Sequence, residues 1–227
     1  MWAPQRSVRP GWRVVTPALP GFDGTDAGAS SMDAFATHVN QELDRRGIER
    51  AVIGGLSLGG YVAFGVLRQR PERVSGLILA DTRAGADGDK ARDARISMLR
   101  ILEEHGPSGV FEEMRPKLFG ATTHADRPAV VEYAKGLAES QTPAAIEGAI
   151  RAMLDRPDST PLLGTIAVPT LIVVGEEDAL TPPVESEGMQ AAIPGATLVR
   201  LPGAGHLSNL EAPDAFNAAV SAFLSTL

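Results

Sequence analysis

The residue best suited to chemistry in this sequence is a serine inside a glycine-rich segment. Ser57 is the central residue of Gly55-Leu56-Ser57-Leu58-Gly59, a G-x-S-x-G pattern between an apolar run and a helical pattern. A sharp turn from strand to helix would expose the serine hydroxyl, and the two glycines would let the backbones pass without Cβ clashes. The backbone N–H of Leu58, at the start of the helix, would then stabilise an oxyanion. The pattern predicts Ser57 as the nucleophile of an acyl transfer.

A glycine-rich turn has two other interpretations, a plain connection between strand and helix or a cradle for phosphate. The Lys-Ser/Thr pair of a P-loop does not follow these glycines, and their spacing differs from that of a dinucleotide-binding fingerprint. The chain has no cysteine, which excludes a thiol nucleophile, a disulfide framework and a thiolate zinc site. A nucleophile in this chain must therefore carry oxygen or nitrogen, as Ser57 does.

A serine hydroxyl needs a base, and the sequence contains four histidines that could supply one. His206 follows the last predicted strand, in a loop with glycines at 203 and 205, and this loop would lie at the same sheet edge as the serine turn. We therefore predict that His206 is the base. For the remaining histidines we expect solvated surface roles: His38, His105 and His124.

The histidine needs a carboxylate that fixes its tautomer, and acidic residues follow two of the predicted strands. Asp178 lies in a turn opened by Gly175, which would direct its side chain inward. The alternative is Asp81, which ends an earlier strand; we favour Asp178. The two glutamates before Asp178 would then be solvated, Glu176 and Glu177. Two acidic residues after the histidine are expected to cap or orient the last helix, Glu211 and Asp214.

Short apolar, β-branched runs alternate with helical patterns along most of the chain. This alternation is typical of a parallel sheet covered by crossover helices, so the sequence predicts the α/β fold class. Apolar spacing, glycines and prolines predict core helices that begin after Ser31, after Gly60 and at Pro213. The predicted strands are Arg13–Thr16, Ala51–Gly54, Val74–Ala80, Thr170–Val174 and Thr197–Arg200.

Residues 84–163 interrupt the alternation, because only helices are predicted there. About 80 residues of helix between two strands are typical of a cap or lid over the carboxyl edge of a sheet. A helical subdomain that only adds stability is the alternative. We expect a core of residues 1–83 and 164–227 and a helical cap of residues 84–163. The predicted helices within the cap are 90–105, 108–114, 128–139 and 143–154.

Composition and charge exclude several classes of function. The chain has 227 residues, 44% of them hydrophobic and 22% charged, as in ordinary globular proteins. Its net charge is −7 and its cations are scattered, which disfavours a nucleic-acid or anionic-membrane partner. No apolar run has the length of a signal peptide or a membrane span. We expect a cytoplasmic protein with a small-molecule partner; a monomer and a homo-oligomer both remain open.

These features together resemble the α/β-hydrolase superfamily over nearly the whole chain. The segments Gly-Leu-Ser-Leu-Gly-Gly at 55–60 and His-Leu-Ser-Asn-Leu-Glu at 206–211 are similar to the branch of 3-oxoadipate enol-lactonases and small esterases. The resemblance implies the α/β-hydrolase fold, a triad of Ser57, Asp178 and His206, and cleavage of small esters or lactones without a metal or organic cofactor. The other matching segments are 71–74, 168–175, 203–205 and 211–213.

The predicted cap is rich in Ala, Leu, Met and Val, which indicates a mostly apolar pocket for a small acyl group. Several arginines in or beside this stretch could instead face an acidic substrate. We expect these side chains to be solvated: Arg83, Arg92 and Arg95.

The sequence departs from that superfamily near its N-terminus. Members place two or three strands before the one predicted at 13–16, and a His-Gly loop after the third supplies a second oxyanion N–H. Because this sequence lacks both, we expect an N-terminally shortened form, in which strands 13–16 and 51–54 pair directly or leave unpaired backbone groups in the sheet. One lost oxyanion donor lowers turnover about 100- to 1,000-fold, so a non-catalytic ligand- or partner-binding protein is the alternative function.

Overall fold

Four parallel strands form one sheet in the part of the chain that the structure describes. The structure is a computed structural model, and it describes residues 1–25 and 31–227. Along the sheet the strands follow the order of the sequence. Their bounds are β1 (Ala51–Leu56), β2 (Val74–Ala80), β3 (Thr170–Gly175) and β4 (Thr197–Leu201).

The register of the sheet brings the carboxyl ends of the strands to one edge. Gly55 of β1 pairs with Leu79 of β2, Leu79 pairs with Ile172 of β3, and Ile172 pairs with Leu198 of β4. All three pairings are parallel, so residues that directly follow the strands share this edge. Ser57, directly after β1, therefore lies at the edge where ligand sites of such sheets form.

The prediction of a strand at Arg13–Thr16 is wrong. These residues have no strand structure, and β1 is an outer strand of the four-stranded sheet, so direct pairing between the two does not occur. Trp12 is 38% exposed and Val14 37% exposed, which shows that the apolar residues here do not pack as a buried strand would. A short extended segment needs a neighbouring strand to complete its hydrogen bonds, and a local pattern cannot supply that partner.

Helices cover both faces of the sheet and fill the chain between β2 and β3. The three predicted core helices are confirmed at Met32–Arg45, Leu58–Gln69 and Pro213–Leu224. The second of them begins two residues before Gly60. No helix in the described ranges combines the length and apolar character needed to cross a bilayer. The helices are α1 (Met32–Arg45), α2 (Leu58–Gln69), α3 (Asp89–Leu118), α4 (Ala121–Asp126), α5 (Pro128–Glu139), α6 (Pro143–Leu154), α7 (Pro183–Ala192), α8 (Ser208–Glu211) and α9 (Pro213–Leu224).

Neighbouring residues of β3 show how the helices divide between the two faces. Ile172 packs in one buried cluster with Phe64 of α2 and Met189 of α7. Val173 packs in a second buried cluster with Phe216 of α9. Successive strand side chains point to opposite faces, so α2 and α7 cover one face and α9 the other. Two helical layers thus bury the central strands, as the apolar runs predict.

Residues 84–163, called the helical segment below, lie between β2 and β3 and contain α3 to α6 without a strand. The predicted bounds of α5 and α6 match the structure. The two helices predicted on either side of Gly106 form one element, α3, which breaks at that residue with φ 65. The short helix α4 was not predicted, because its six residues, Ala-Thr-Thr-His-Ala-Asp, carry little apolar periodicity.

Candidate active site

Ser57 lies in the turn between β1 and α2 with φ 52 and ψ −114, a conformation that an L-amino acid rarely adopts. Its backbone N–H donates to the carbonyl of Ala80 at 2.9 Å. The hydroxyl of Thr82 donates to the Ser57 carbonyl at 2.8 Å. Two hydrogen bonds from the end of β2 therefore hold the turn in its strained shape. The serine side chain projects from the carboxyl edge of the sheet.

The glycines around Ser57 differ in what they contribute. A Cβ on Gly55 would lie 2.0 Å from both the carbonyl carbon and the carbonyl oxygen of Gly59, so only glycine fits at position 55. A Cβ on Gly59 would meet nothing within 4 Å. A Cβ on Gly60 would lie 2.5 Å from Oγ1 of Thr82. The predicted close passage of two backbones is confirmed for Gly55, whereas for Gly59 the predicted Cβ clash is wrong.

The structure brings Ser57, His206 and Asp178 together. His206 Nε2 lies 2.8 Å from Ser57 Oγ, and His206 Nδ1 lies 2.9 Å from Asp178 Oδ2. The histidine is 3% exposed and the aspartate 4%, so water competes little for these hydrogen bonds. When the hydrogen of the neutral tautomer is on Nδ1, the Asp178 carboxylate accepts its hydrogen bond and Nε2 presents a lone pair to the serine hydroxyl. This is the protonation pattern that a serine nucleophile needs from its base.

Asp178 is held as an ionised acceptor. Its Oδ1 accepts the backbone N–H groups of Leu180 at 2.8 Å and Thr181 at 2.9 Å, and its Oδ2 accepts the Thr181 hydroxyl at 2.7 Å. Burial alone would raise the pKa of Asp178, but the hydrogen bond from His206, the positive charge of its protonated ring and the hydrogen bonds from Thr181 lower that pKa below the ordinary carboxyl value. The turn opened by Gly175 thus directs a charged oxygen toward the imidazole.

Asp81, the alternative to Asp178, has other partners. Its Oδ1 accepts the backbone N–H of Gly175 at 2.8 Å, and its Oδ2 accepts the hydroxyl of Ser208. It is fully buried, and burial raises its pKa well above the ordinary carboxyl value, although both hydrogen bonds act in the opposite direction. Of the two carboxylates, the structure therefore places Asp178 at the imidazole, while Asp81 connects the ends of β2 and β3 to the segment after His206.

The structure also places the predicted oxyanion donor, Leu58, and the three histidines that were not expected to act as the base. Leu58 is the first residue of α2, and an N–H in the first turn has no acceptor inside its own helix. His38 Nε2 lies 3.0 Å from the carbonyl of Ala18. The His105 side chain is 65% exposed, and His124 packs edge-on against a phenylalanine ring at 5.7 Å. Among the described residues, no group of three or more histidine, aspartate or glutamate side chains is placed to hold a metal ion.

The roles predicted for two glutamates are wrong. Glu177 is half-buried, and its carboxylate accepts the backbone N–H of Thr122 at 2.9 Å and the Thr122 hydroxyl at 2.6 Å, which lower its pKa. Glu211 is buried and accepts backbone N–H groups around His206 rather than capping the last helix. Thr122 lies 55 residues before Glu177, so no local signal predicts that contact. Glu176 is exposed, as expected. Asp214 lies in the first turn of the last helix, but its side chain is exposed and no side-chain hydrogen bond caps that helix.

The prediction that Arg83 and Arg95 are solvated is also wrong, because both pair with the buried carboxylate of Asp87. A third guanidinium, that of Arg156, lies 2.7 Å from Asp87 and stacks over the ring of Tyr61 at 4.1 Å from its centroid. Burial would raise the pKa of Asp87, but the ion pairs with Arg95 and Arg156 lower it to about 2. These arginines therefore neutralise an internal carboxylate. Arg92, in contrast, is 45% exposed.

A sequence model described as the alpha/beta hydrolase family matches residues 1–219. The chain belongs to this family. It is 30% identical to 3-oxoadipate enol-lactonase 2 of Acinetobacter baylyi, over 90% of this chain and 74% of that protein. It is also 30% identical to a putative carbamate hydrolase RutD of Azorhizobium caulinodans, over 87% of this chain and 74% of that protein.

Solved structures support the same assignment. A thermophilic esterase from Thermogutta terrifontis matches 99% of this chain and 84% of its own with 37% identity and a TM-score of 0.94. The enol-lactonase from Burkholderia xenovorans matches 99% of this chain and 85% of its own with 25% identity and a TM-score of 0.89. The α/β-hydrolase fold and the resemblance to enol-lactonases and small esterases are confirmed. The protein is a hydrolase of the alpha/beta family with esterase and lactonase relatives.

Proposed function

We propose that this protein hydrolyses small carboxylic esters or lactones through an acyl-enzyme formed on Ser57. The observation that carries the proposal is the unbroken contact from Asp178 through His206 to Ser57, with 2.9 Å at Nδ1 and 2.8 Å at Nε2. A base that is fixed in its tautomer and already within reach of the hydroxyl activates a serine for attack on a carbonyl carbon. The esterase and enol-lactonase relatives favour an ester or lactone as the substrate.

The reaction would proceed in two steps. In the first, Ser57 Oγ attacks the carbonyl carbon while His206 Nε2 takes the hydroxyl proton, and the oxyanion faces the N–H of Leu58 at the start of α2. Collapse of this intermediate breaks the ester bond, and His206 returns the proton to the departing alkoxide oxygen. In the second, His206 removes a proton from water, the hydroxide attacks the acyl-serine, and the acid leaves as Ser57 regains its proton.

We propose that the helical segment forms a cap and that residues 1–83 and 164–227 form the hydrolase core. The segment leaves the sheet after β2 and returns before β3, so both of its ends adjoin the central strands. Near its middle, the carbonyl of Leu118 accepts the backbone N–H of Leu207, the residue after His206. Leu210 packs with Phe111 and Val131 of the helical segment in one buried cluster. These contacts favour a cap that borders the catalytic histidine.

Labelling with a fluorophosphonate, followed by intact-mass measurement, tests the nucleophile. We expect one adduct per wild-type chain and no adduct on Ser57→Ala, because only the serine next to His206 is activated. Ser7→Ala removes an exposed serine and is the matched control, which should label like the wild type. Folded wild-type protein that takes no label would contradict the proposal and favour a ligand- or partner-binding protein.

A panel of p-nitrophenyl esters of increasing acyl length, together with small lactones, tests the substrate class. We expect turnover of the short esters or the lactones, and a loss of about 10⁴- to 10⁶-fold in Ser57→Ala. Labelling without turnover of any ester or lactone would retain the nucleophile and overturn the substrate class.

A further inference from the structure

One buried carboxylate holds the backbone on both sides of His206. Glu211 is 3% exposed. Its Oε2 accepts the N–H of Gly205 at 3.0 Å, and its Oε1 accepts the N–H of Leu207 at 3.0 Å. The backbone N–H groups of the two residues that flank the histidine are thereby hydrogen-bonded to the same side chain. The position of the imidazole relative to Ser57 depends on the backbone of these two residues.

The same carboxylate also binds the helical segment. Its Oε2 accepts the N–H of Gly120 at 2.9 Å. Gly120 and Gly205 lie so close that a Cβ on Gly205 would be 2.2 Å from the nitrogen of Gly120. The two backbones therefore meet directly, and the Glu211 carboxylate bridges the N–H groups of both. The loop of residues 202–207, called the histidine loop below, is therefore fixed against the helical segment as well as against Glu211.

Three backbone N–H groups point at the end of the residue 211 side chain, and a carboxylate can accept a hydrogen bond from all three. A buried carboxylate is stable only when hydrogen bonds replace its water, and each bond from an N–H to a charged oxygen is stronger than a neutral one. Glutamine has one acceptor oxygen and an NH₂ group, which would face one of the three N–H groups as a second donor. At least one N–H would then lose its partner. The arrangement thus requires two acceptor oxygens at residue 211.

We propose that Glu211 is a positioning residue for the hydrolytic reaction, and this role rests on the proposed function. Glu211 holds Gly205 and Leu207 so that His206 Nε2 stays within hydrogen-bonding distance of Ser57 Oγ. Through Gly120 it also fixes the histidine loop relative to the helical segment. Glu211 does not touch the reacting atoms and acts only through His206.

Glu211→Gln is the variant that tests this role, and Asp214→Asn is the matched control. Asp214 lies three residues away, is exposed, and loses the same charge on substitution. We expect kcat to fall about 10- to 100-fold in Glu211→Gln, because a displacement near 1 Å at a reacting group costs up to about 100-fold. KM should change less than about 3-fold, since no substrate contact is removed. Asp214→Asn should match the wild type in both constants.

Fluorophosphonate titration separates positioning from simple destabilisation. We expect Glu211→Gln to reach one adduct per chain, as the wild type does, but with a labelling rate constant about 10- to 100-fold lower. A reduced number of adducts with an unchanged rate constant would show a purely structural role and overturn the proposal. Equal rate constants in Glu211→Gln and the wild type would overturn it as well. A wild-type protein that takes no label would overturn the proposed function, and this role with it.

Discussion

Two of the places where the helical segment contacts the rest of the chain differ in chemistry. We call residues 83–88 and 155–160 the root, since the chain enters and leaves the segment there, and residues 118–122 the crossing, since the chain there passes over the histidine loop. At the root, Asp87 pairs with Arg83, which precedes the segment, and with Arg95 and Arg156 inside it, and Arg156 stacks on Tyr61 of α2. The crossing is joined by backbone contacts and by two glutamates. This difference predicts different consequences when each is disturbed.

At the root, long side chains reach across from several elements. Asp87 is almost fully buried among the guanidinium groups of Arg83, Arg95 and Arg156. The side chain of Arg156 is only 2% exposed, so its charge depends on Asp87 for compensation. Arginine side chains can rotate to follow a small displacement, so the root can hold the segment without fixing it to a fraction of an ångström.

At the crossing, backbone lies against backbone. A Cβ on Gly205 would be 2.5 Å from the carbonyl carbon of Phe119, and a Cβ on Gly175 would be 2.1 Å from the carbonyl oxygen of Gly205. No side-chain rotation can relieve such contacts. Since Gly205 precedes His206 and Gly175 opens the turn of Asp178, we infer that the crossing sets the geometry of the site and the root sets the stability of the attachment.

The largest effect on stability is expected from Asp87→Asn. The substitution leaves three guanidinium groups without their carboxylate, and the free energy of unfolding should fall by about 3–5 kcal/mol at pH 7. The pKa of Asp87 is lowered to about 2, so its stabilising contribution is complete above the ordinary carboxyl pKa and is lost as the pH falls toward 2. Urea unfolding between pH 7 and pH 3 should therefore show the wild type and the variant converging.

Asp155→Asn serves as the control for the root, because the Asp155 side chain is 84% exposed beside Arg92. It should leave the unfolding free energy within about 0.5 kcal/mol of the wild type. Folded Asp87→Asn should keep a wild-type labelling rate constant at Ser57. A rate constant reduced by tenfold or more would contradict the division between root and crossing.

A smaller loss of stability but a larger loss of reactivity is expected from Gly205→Ala. The added Cβ would lie 2.2 Å from the nitrogen of Gly120, so the histidine loop or the crossing must move. We expect the unfolding free energy to fall by about 1–3 kcal/mol. The labelling rate constant at Ser57 should fall by about 100-fold.

Gly136→Ala is the matched control in the helical segment, since a Cβ there meets nothing within 4 Å. Gly136 lies inside α5, and alanine should stabilise that helix by up to about 1 kcal/mol without changing reactivity. If Gly205→Ala labelled at the wild-type rate, close backbone packing at the crossing would have no bearing on the position of His206.

The smallest effect is expected from Glu177→Gln, which weakens one side of the crossing. Its carboxylate accepts both the N–H and the hydroxyl of Thr122, and glutamine can keep one of these bonds. The unfolding free energy should fall by about 0.5–1.5 kcal/mol. Because those bonds lower the pKa of Glu177, its contribution exists above the ordinary carboxyl pKa and is lost on acidification.

Thermal melts of Glu177→Gln and Glu176→Gln at pH 7 measure this difference. Glu176 is the exposed neighbour and should show no loss. Equal melting temperatures for the two variants would mean that the contact with Thr122 adds nothing to the crossing.

Much of the fold was predictable because its signals are local. The bounds of β2, α5 and α6 and the start of α9 follow from prolines, glycines and apolar periodicity, and the structure agrees with all of them. The absence of a strand at 13–16 could not be predicted in this way, because a segment becomes a strand only when it pairs with a neighbouring strand. Residues 13–16 pair with none of the four strands. The ion pair of Arg83 with Asp87 could not be predicted from the sequence either, since the carboxylate becomes buried only when the root assembles.

By itself, the sequence determined the chemical groups of the candidate site and their order along the chain. The serine turn and its glycines are a local pattern, and few histidines compete for the role of base. Only the tertiary structure decided that Asp178 rather than Asp81 reaches His206, and that Glu211 joins the backbone beside His206 to Gly120 of the helical segment. The physical reason is that these contacts join residues 28 and 91 positions apart, and hydrogen bonds of about 3 Å form across such separations only once packing has set the distances.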